Sequence, residues 1–140
     1  MRIIENISDD FAHCADEQAF KKLYCVSRLK LRTKQKLFCI ETEETVAGFP
    51  DVLELETGAC TIARFYEFKI SDTRGNIKFQ PTQPSFFRQN SELDIKVIAY
   101  NRISRRVHCF STSEIFDKDS PYYTTNGRIN LIEAEREVGV

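Results

Sequence analysis

The two segments FPDVLEL (residues 49–55) and ARFYEFKISD (residues 63–72) decide the fold that this sequence predicts. Both segments are apolar and strand-like, yet each carries charge where a buried strand normally has none. Side chains two positions apart leave a strand on the same face, so Glu67 and Lys69 should lie side by side. If the two strands are neighbours in a sheet, Asp51 and Glu67 converge at one end of it.

The chemistry of these three side chains favours a site for a hard divalent cation. Carboxylate oxygens such as those of Asp51 and Glu67 are the ligands that Mg²⁺ prefers, and an ammonium group beside them stabilises negative charge. The alternative is a simple salt bridge between Glu67 and Lys69 on an exposed strand. The apolar neighbours Phe65 and Phe68 argue against that alternative, because unpaired charge in such surroundings is costly.

The order Pro50-Asp51, a variable gap, then Glu67-Phe68-Lys69 resembles the signature of the PD-(D/E)xK nuclease superfamily. The resemblance implies an α/β fold with the αβββαβ restriction-endonuclease-like core, in which a central mixed sheet is flanked by helices. It is closest to the virus-type replication-repair (VRR) and Holliday-junction-resolvase-like branches. We expect one domain over residues 1–140, with the core at residues 9–116 and residues 117–140 as a C-terminal extension.

The resemblance also implies roles for individual residues. Asp51 and Glu67 would bind Mg²⁺ or Mn²⁺ together with the backbone carbonyl of Phe68. Lys69 would position or activate the attacking water. In many members of the superfamily, an acidic residue on the first core helix completes the metal environment, and Glu17 is the candidate for that position.

Two of the implied positions have two candidates each. For the helical acidic residue they are Glu17 and Asp16, and the alternative role is a carboxylate on the helix surface that pairs with Lys21. Several branches carry a glutamine near the start of the second helix, and here the candidates are Gln83 and Gln80. Such an amide would orient the attacking water or contact a phosphate, whereas capping of the helix is the structural alternative.

The activity that the resemblance implies is that of a metal-dependent endonuclease hydrolysing phosphodiester bonds in DNA, with RNA as a second substrate class. Selective cutting of branches or junctions is one expectation. A homodimer is another, because resolvase-like members pair two active sites. The alternative is a catalytically inactive nucleic-acid-binding or structural module on the same fold, of phage or mobile-element origin. Retention of Asp51, Glu67 and Lys69 together favours the enzyme.

Charged residues are unevenly distributed, although the net charge is only −1. That small net charge argues against binding of nucleic acid by bulk electrostatics. Residues 21–36 contain basic side chains and no acidic ones, whereas residues 41–56 show the reverse. The positions expected to contact phosphates lie in the basic run and in a predicted hairpin turn: Lys30, Arg32, Lys34, Arg102, Arg105 and Arg106. A solvated helix face and a charged turn explain the same pattern.

The amino-acid composition excludes several other classes of function. Hydrophobic residues make up 41% and charged residues 29% of the chain, as in an ordinary globular domain. Because no segment has the length of a signal peptide or a membrane span, we expect a cytoplasmic protein with no membrane partner. Five scattered cysteines without a CxxC pair favour reduced thiols over disulfides or zinc. Neither histidine belongs to a motif with serine or cysteine, so acyl transfer is not expected.

The spacing of apolar residues predicts the elements that carry these side chains. A first helix should begin near residues 8–9 and end near residues 29–31. A second helix should begin near residues 82–83, because Pro84 fits its first turn. Strands are predicted at residues 36–40, 49–56, 61–70, 93–100 and 107–111, and a short helix at residues 128–137.

Overall fold

A computed structural model of the chain describes residues 3–30, 35–40, 49–123 and 127–140. These residues form a mixed α/β structure with a six-stranded mixed sheet and four α-helices. The predicted α/β class is therefore confirmed. Among the helices in these ranges, none has both the length and the apolar character needed to cross a membrane.

Strands and short helices alternate along the chain. In order they are β1 (Ile3–Ile4), α1 (Glu17–Tyr24), a π-helical turn (Cys25–Leu29), β2 (Gln35–Cys39), β3 (Val52–Thr57), β4 (Thr61–Ile70), β5 (Asn76–Lys78), α2 (Thr82–Gln89), β6 (Ile95–Asn101), β7 (Arg106–Ser111), α3 (Thr112–Phe116), β8 (Arg128–Asn130) and α4 (Leu131–Glu137).

Six strands form one sheet in the spatial order β1-β7-β6-β4-β3-β2. All neighbouring pairs are antiparallel except the central pair, β4 and β6, which is parallel. The predicted pairing of β3 with β4 is confirmed, and Val52 lies opposite Tyr66. Strands β5 and β8 form a separate antiparallel pair, called the β5–β8 ribbon below.

Different parts of the chain cover the two faces of the sheet. On one face, α1 packs through Phe20, whose ring centre lies 5.0 Å from that of Phe11 and 5.8 Å from that of Phe68. On the other face, α2, α3, α4 and the ribbon enclose a second core around Phe87 and Phe110. Because side chains alternate along β4, Phe68 points towards α1, and its neighbours in sequence point towards α2.

The first helix begins at Glu17 rather than near residues 8–9, so the predicted start was wrong. Asp16 is the residue that caps it, and its Oδ1 accepts a hydrogen bond from the Ala19 N–H at 2.9 Å. The preceding chain instead runs beside β7, where the Glu5 N–H donates to the Val107 carbonyl at 2.9 Å. Residues 10–13 then form turns, with the Ala12 N–H donating to the Asp9 carbonyl at 3.1 Å, and the helix begins only after its cap at Asp16.

The C-terminal segment begins with a strand where the sequence predicts a helix. Residues 128–130 form β8, and α4 starts only after them. The Asn130 side chain caps α4, since its Oδ1 accepts from the Glu133 N–H at 2.9 Å. Farther along α4, Glu135 Oε2 accepts from Asn101 Nδ2 at 2.6 Å, in buried surroundings. This segment is thus joined to the end of β6 as well as to β5.

We predict that Phe20→Ala lowers the free energy of unfolding by about 3–5 kcal/mol, because it removes a fully buried ring from the core beneath α1. Urea denaturation followed by far-UV circular dichroism measures this loss. The exposed residue Val26 provides the control, since Val26→Ala should change stability by no more than about 0.5 kcal/mol. Equal losses in the two variants would contradict the described packing.

Candidate functional site

Glu67 and Lys69 lie side by side on the face of β4 that α2 covers. Both are buried, with 3% and 5% of their surfaces exposed, and Lys69 Nζ lies 3.7 Å from Glu67 Oε1. The same ammonium group lies 5.3 Å from the centre of the Phe79 ring, which faces it with aromatic surface. The two side chains therefore do not form the exposed surface salt bridge that is the alternative interpretation of the sequence.

Gln83, the second residue of α2, joins this pair to the helix. Its Nε2 donates to Glu67 Oε1 at 2.8 Å, and its Oε1 accepts from Lys69 Nζ at 3.1 Å. The backbone N–H of Gln80 donates to the same Oε1 at 2.8 Å. Because an ammonium and an N–H can only donate, the amide oxygen must face them and the amide NH₂ must face the carboxyl group. Gln83, not Gln80, therefore places its side chain at the site.

Asp51, the residue just before β3, lies at the same site. Its N–H donates to the Tyr66 carbonyl at 2.9 Å, and its Oδ2 accepts from the Phe68 N–H at 3.1 Å. The carboxylate thus crosses to the backbone of β4, beside Glu67. The contact with Phe68 uses the N–H of that residue, and the ligand role predicted for its carbonyl stays a prediction.

Glu17 approaches the end of β4 from the other face of the sheet. It is the first residue of α1, and its Oε1 accepts from the Ile70 N–H at 3.5 Å, a long hydrogen bond. Burial raises the pKa of Glu17, and the positive charge of Lys69 opposes that rise. Asp16 is engaged as the helix cap, so Glu17 is the one of the two candidates that is directed at β4.

Burial of Glu67 dominates the electrostatics of the site. Burial, followed by the negative charge of Asp51, raises the pKa of Glu67 from 4.5 to about 8. The positive charge of Lys69 and the hydrogen bond from Gln83 oppose that rise without cancelling it. Burial and the neighbouring carboxylate thus favour the protonated form of Glu67. The site has too little positive charge for its carboxyl groups.

The oxygen donors of the site fit a cation held by two carboxylates. Glu67 Oε2 is buried and lacks a hydrogen-bond partner among the described residues, and Asp51 lies close enough to shift the pKa of Glu67. No group of three or more His, Cys, Asp or Glu side chains in the described ranges is arranged to hold a metal ion. Mg²⁺ often uses one or two carboxylates and completes its shell with water and substrate phosphate, so two donors meet its requirement.

Of the four arginines predicted to contact phosphates, the three that the structure describes all bond within the protein. Arg102 Nη2 donates to two backbone carbonyls just before α1, at 2.9 and 3.3 Å. Arg105 Nη1 lies 2.6 Å from Asp9 Oδ1. Arg106 Nη1 lies 3.6 Å from Glu135 Oε1. Contact of these side chains with phosphates stays a prediction.

The predicted basic positions do not share one surface. Arg102 and Glu17 line a cleft of about 590 Å³ at the end of β4. Lys30 lines a different cleft of about 330 Å³, together with Lys21 and with residues of β2. Arg32 and Lys34 lie outside the described residues. Among the predicted basic positions that the structure describes, Arg102 is thus the one placed beside the candidate site.

The sequence patterns do not predict three residues that lie near the site. Phe79 faces Lys69, and Lys78 and Arg128 line the cleft that holds Glu17. An aromatic residue after a three-residue strand gives no chemical signal. The pairing of β5 with β8 joins segments far apart in the chain, and no local pattern predicts it.

Comparison with known proteins adds no family to this description. No family model, curated protein or solved structure matches the chain. Its function is therefore inferred from the geometry and the electrostatics of the site.

We predict that Glu67→Gln removes much of the pH dependence of stability in EDTA. The folded pKa of about 8 exceeds the ordinary value of 4.5, so the stabilising proton is fully retained below pH 4.5. Stability is then lost as the pH rises towards 8, with a slope of up to about 1.4 kcal/mol per pH unit. Urea unfolding at a series of pH values measures this slope. The exposed residue Glu92 supplies the control, because Glu92→Gln should keep the wild-type slope.

We also predict that Gln83→Met costs about 1–3 kcal/mol of stability, because it leaves buried donors of Lys69 and the Gln80 N–H without their acceptor. Thermal or urea unfolding measures the change. Gln89→Met, an exposed position on the same helix, should be close to neutral. A neutral result at Gln83 would show that its amide does not hold the site together.

Proposed function

We propose that this chain is a metal-dependent endonuclease that hydrolyses phosphodiester bonds in DNA. The observation that carries the proposal is the buried set of Asp51, Glu67 and Lys69 on two neighbouring strands, joined to α2 by Gln83. The order α1, β2, β3, β4, α2, β6 supports a restriction-endonuclease-like αβββαβ core as part of the same proposal.

Asp51 and Glu67 are the residues that would hold the cation, Mg²⁺ or Mn²⁺. A divalent ion in this place supplies Lewis-acid polarisation of a phosphate oxygen and lowers the pKa of water. Glu67 gives up its proton when it becomes a ligand, so binding of the ion should release protons below pH 8. Asp51 needs no large movement, because its carboxylate already lies against β4.

Lys69 acts on the phosphate and on the attacking water. Its ammonium is fixed by Gln83 and by the ring of Phe79, so it is held in place before substrate arrives. A fixed cation in a water-poor site stabilises the charge that develops on the phosphate oxygens in the transition state. Gln83 is a positioning residue in this scheme, because it orients both Lys69 and Glu67.

Preference for branched or junction DNA and pairing of two copies belong to the same proposal. Cleavage rates on a panel of linear, nicked, flapped and four-way DNA substrates test the preference for branched or junction DNA. Light scattering of the purified protein, with and without DNA, tests whether two copies pair. RNA strands of matched sequence distinguish the two classes of nucleic acid.

A catalytically inactive nucleic-acid-binding or structural module is the second candidate function. The observation that favours it is that Glu67, Lys69 and Gln83 already bond to one another in a closed buried group. Such a group can serve stability alone. Binding of DNA without any metal-dependent cutting would support this second function.

We predict that the wild-type protein cuts at least one labelled DNA substrate in Mg²⁺ or Mn²⁺ and not in EDTA. Lys69→Met should lower the rate by about 10²–10³-fold, the usual cost of one transition-state donor. Lys118→Met changes an exposed lysine away from the site and should cut at the wild-type rate.

Cutting that survives in Lys69→Met would point to a contaminant or to another site. Calorimetric titration with Mn²⁺ separates binding of the ion from chemistry. Saturable binding that disappears in Asp51→Asn supports the proposed site. No binding by wild-type protein would reject it.

A further inference from the structure

The β5–β8 ribbon places two cations directly opposite each other. Lys78 of β5 pairs with Arg128 of β8 in the antiparallel register, and both side chains are exposed. Like charges opposite one another on neighbouring strands destabilise the pairing. Asp72 already interacts with Arg128, and a bound anion beside Lys78 would reduce the remaining repulsion, so the pair marks a position where further negative charge is favoured.

These two cations border the cleft beside the proposed active site. The cleft of about 590 Å³ is lined by Lys78, Arg128, Arg102 and Glu17. Because Glu17 bonds to the Ile70 N–H, the cleft begins one residue after Lys69 on β4. A second cleft of about 510 Å³ continues past Lys78 to Arg88 on α2. The two clefts share Lys78, so basic side chains line both of them.

The third cation of the cleft is held in place by the fold. The Arg102 N–H donates to Ser71 Oγ at 2.8 Å, and its guanidinium donates to the Ala15 carbonyl at 2.9 Å. These contacts are to neutral groups, so the positive charge of Arg102 is not neutralised by them. A guanidinium keeps further N–H donors for a phosphate while it bonds a carbonyl.

The acidic groups of the cleft offset only part of this charge. Asp72 Oδ1 accepts from the N–H groups of Arg74 and Asn76 at 2.8 and 3.0 Å, and these hydrogen bonds, together with the positive charge of Arg128, lower the pKa of Asp72. Its carboxylate therefore serves the turn that leads into β5. Three cations, Lys78, Arg102 and Arg128, face two carboxylates, Glu17 and Asp72, so the lining carries net positive charge.

We propose that the β5–β8 ribbon is a phosphate-binding surface that holds the backbone of the nucleic acid next to the phosphate being cut. The proposal rests on the proposed nuclease function for the identity of the substrate. It assigns a role to the C-terminal segment, which supplies Arg128 and lies outside the six-stranded sheet. A phosphodiester backbone matches the surface because its charges repeat along a strand, as the basic side chains do along the two clefts.

Binding of fluorescein-labelled DNA and RNA, each as a single strand and as a duplex, tests this surface by fluorescence anisotropy. EDTA is present so that no metal-dependent cutting consumes the probe. The double variant Lys78→Gln, Arg128→Gln should bind about tenfold more weakly at low salt. The slope of log Kd against log salt should fall by about 1–2, since each lost phosphate contact removes about one unit. Lys118→Gln, which removes an exposed charge elsewhere, should match wild type.

Thermal unfolding of the same variants separates binding from folding. Lys78→Gln removes one of the two like charges and should leave the melting temperature unchanged or higher. If the double variant unfolds instead, the single variant Lys78→Gln carries the binding test. Unchanged affinity and salt slope in every nucleic-acid arm would overturn the proposal.

The two proposals fail in different ways. If wild-type protein cuts DNA and the double variant binds like wild type, the ribbon has no role and the nuclease proposal stands. If wild-type protein binds through the ribbon but never cuts, the nuclease proposal fails and the phosphate-binding surface stands. Loss of binding in the DNA arms, the RNA arms or both supports the surface and shows which backbone it holds.

Discussion

The burial of Glu67 and Lys69 in the middle of the protein is the constraint on which the site depends. Two ionisable groups on one face of a central strand must find partners there, because their desolvation costs several kcal/mol. Gln83 meets this requirement with both ends of its amide, and this fixes how α2 begins over β4. Asp51 adds a second carboxylate from the neighbouring strand. The position of one helix and the chemistry of the site thus have the same cause.

Opposing electrostatic effects decide the state of this site. The positive charge of Lys69 and the hydrogen bond from Gln83 favour ionised Glu67, whereas burial and the charge of Asp51 favour the protonated form. Burial and the charge of Asp51 dominate, since the pKa of Glu67 rises to about 8. A purely structural ion pair would gain from the opposite balance. The present balance leaves two carboxyl groups competing beside one ammonium group, so added positive charge would favour the ionised form of Glu67.

Local patterns predict much of this arrangement, and distant pairing does not. The two-residue period of a strand predicts that Glu67 and Lys69 share a face, and the turn after β3 predicts its pairing with β4. The choice between Gln80 and Gln83 is not predictable, because both precede the same proline and only the register of α2 separates them. The first helix starts late because the chain runs beside the sheet as far as Ser8 and then forms turns before the cap at Asp16. Likewise, Lys78 and Arg128 meet only through a ribbon whose strands come from different parts of the chain.

Pairing between remote segments also affects how the protein is made. Strand β1, at the start of the chain, pairs with β7, and β5 must wait for β8, close to the end of the chain. Contacts between segments far apart in the chain form slowly, because the entropy of closing a long loop is lost before the contacts stabilise the structure. On the ribosome, the strands that carry Asp51 and Glu67 emerge well before the C-terminal segment. A chain that has emerged only as far as β7 therefore carries its acidic and basic site residues without the ribbon beside them, and the cleft is complete only once β8 has emerged.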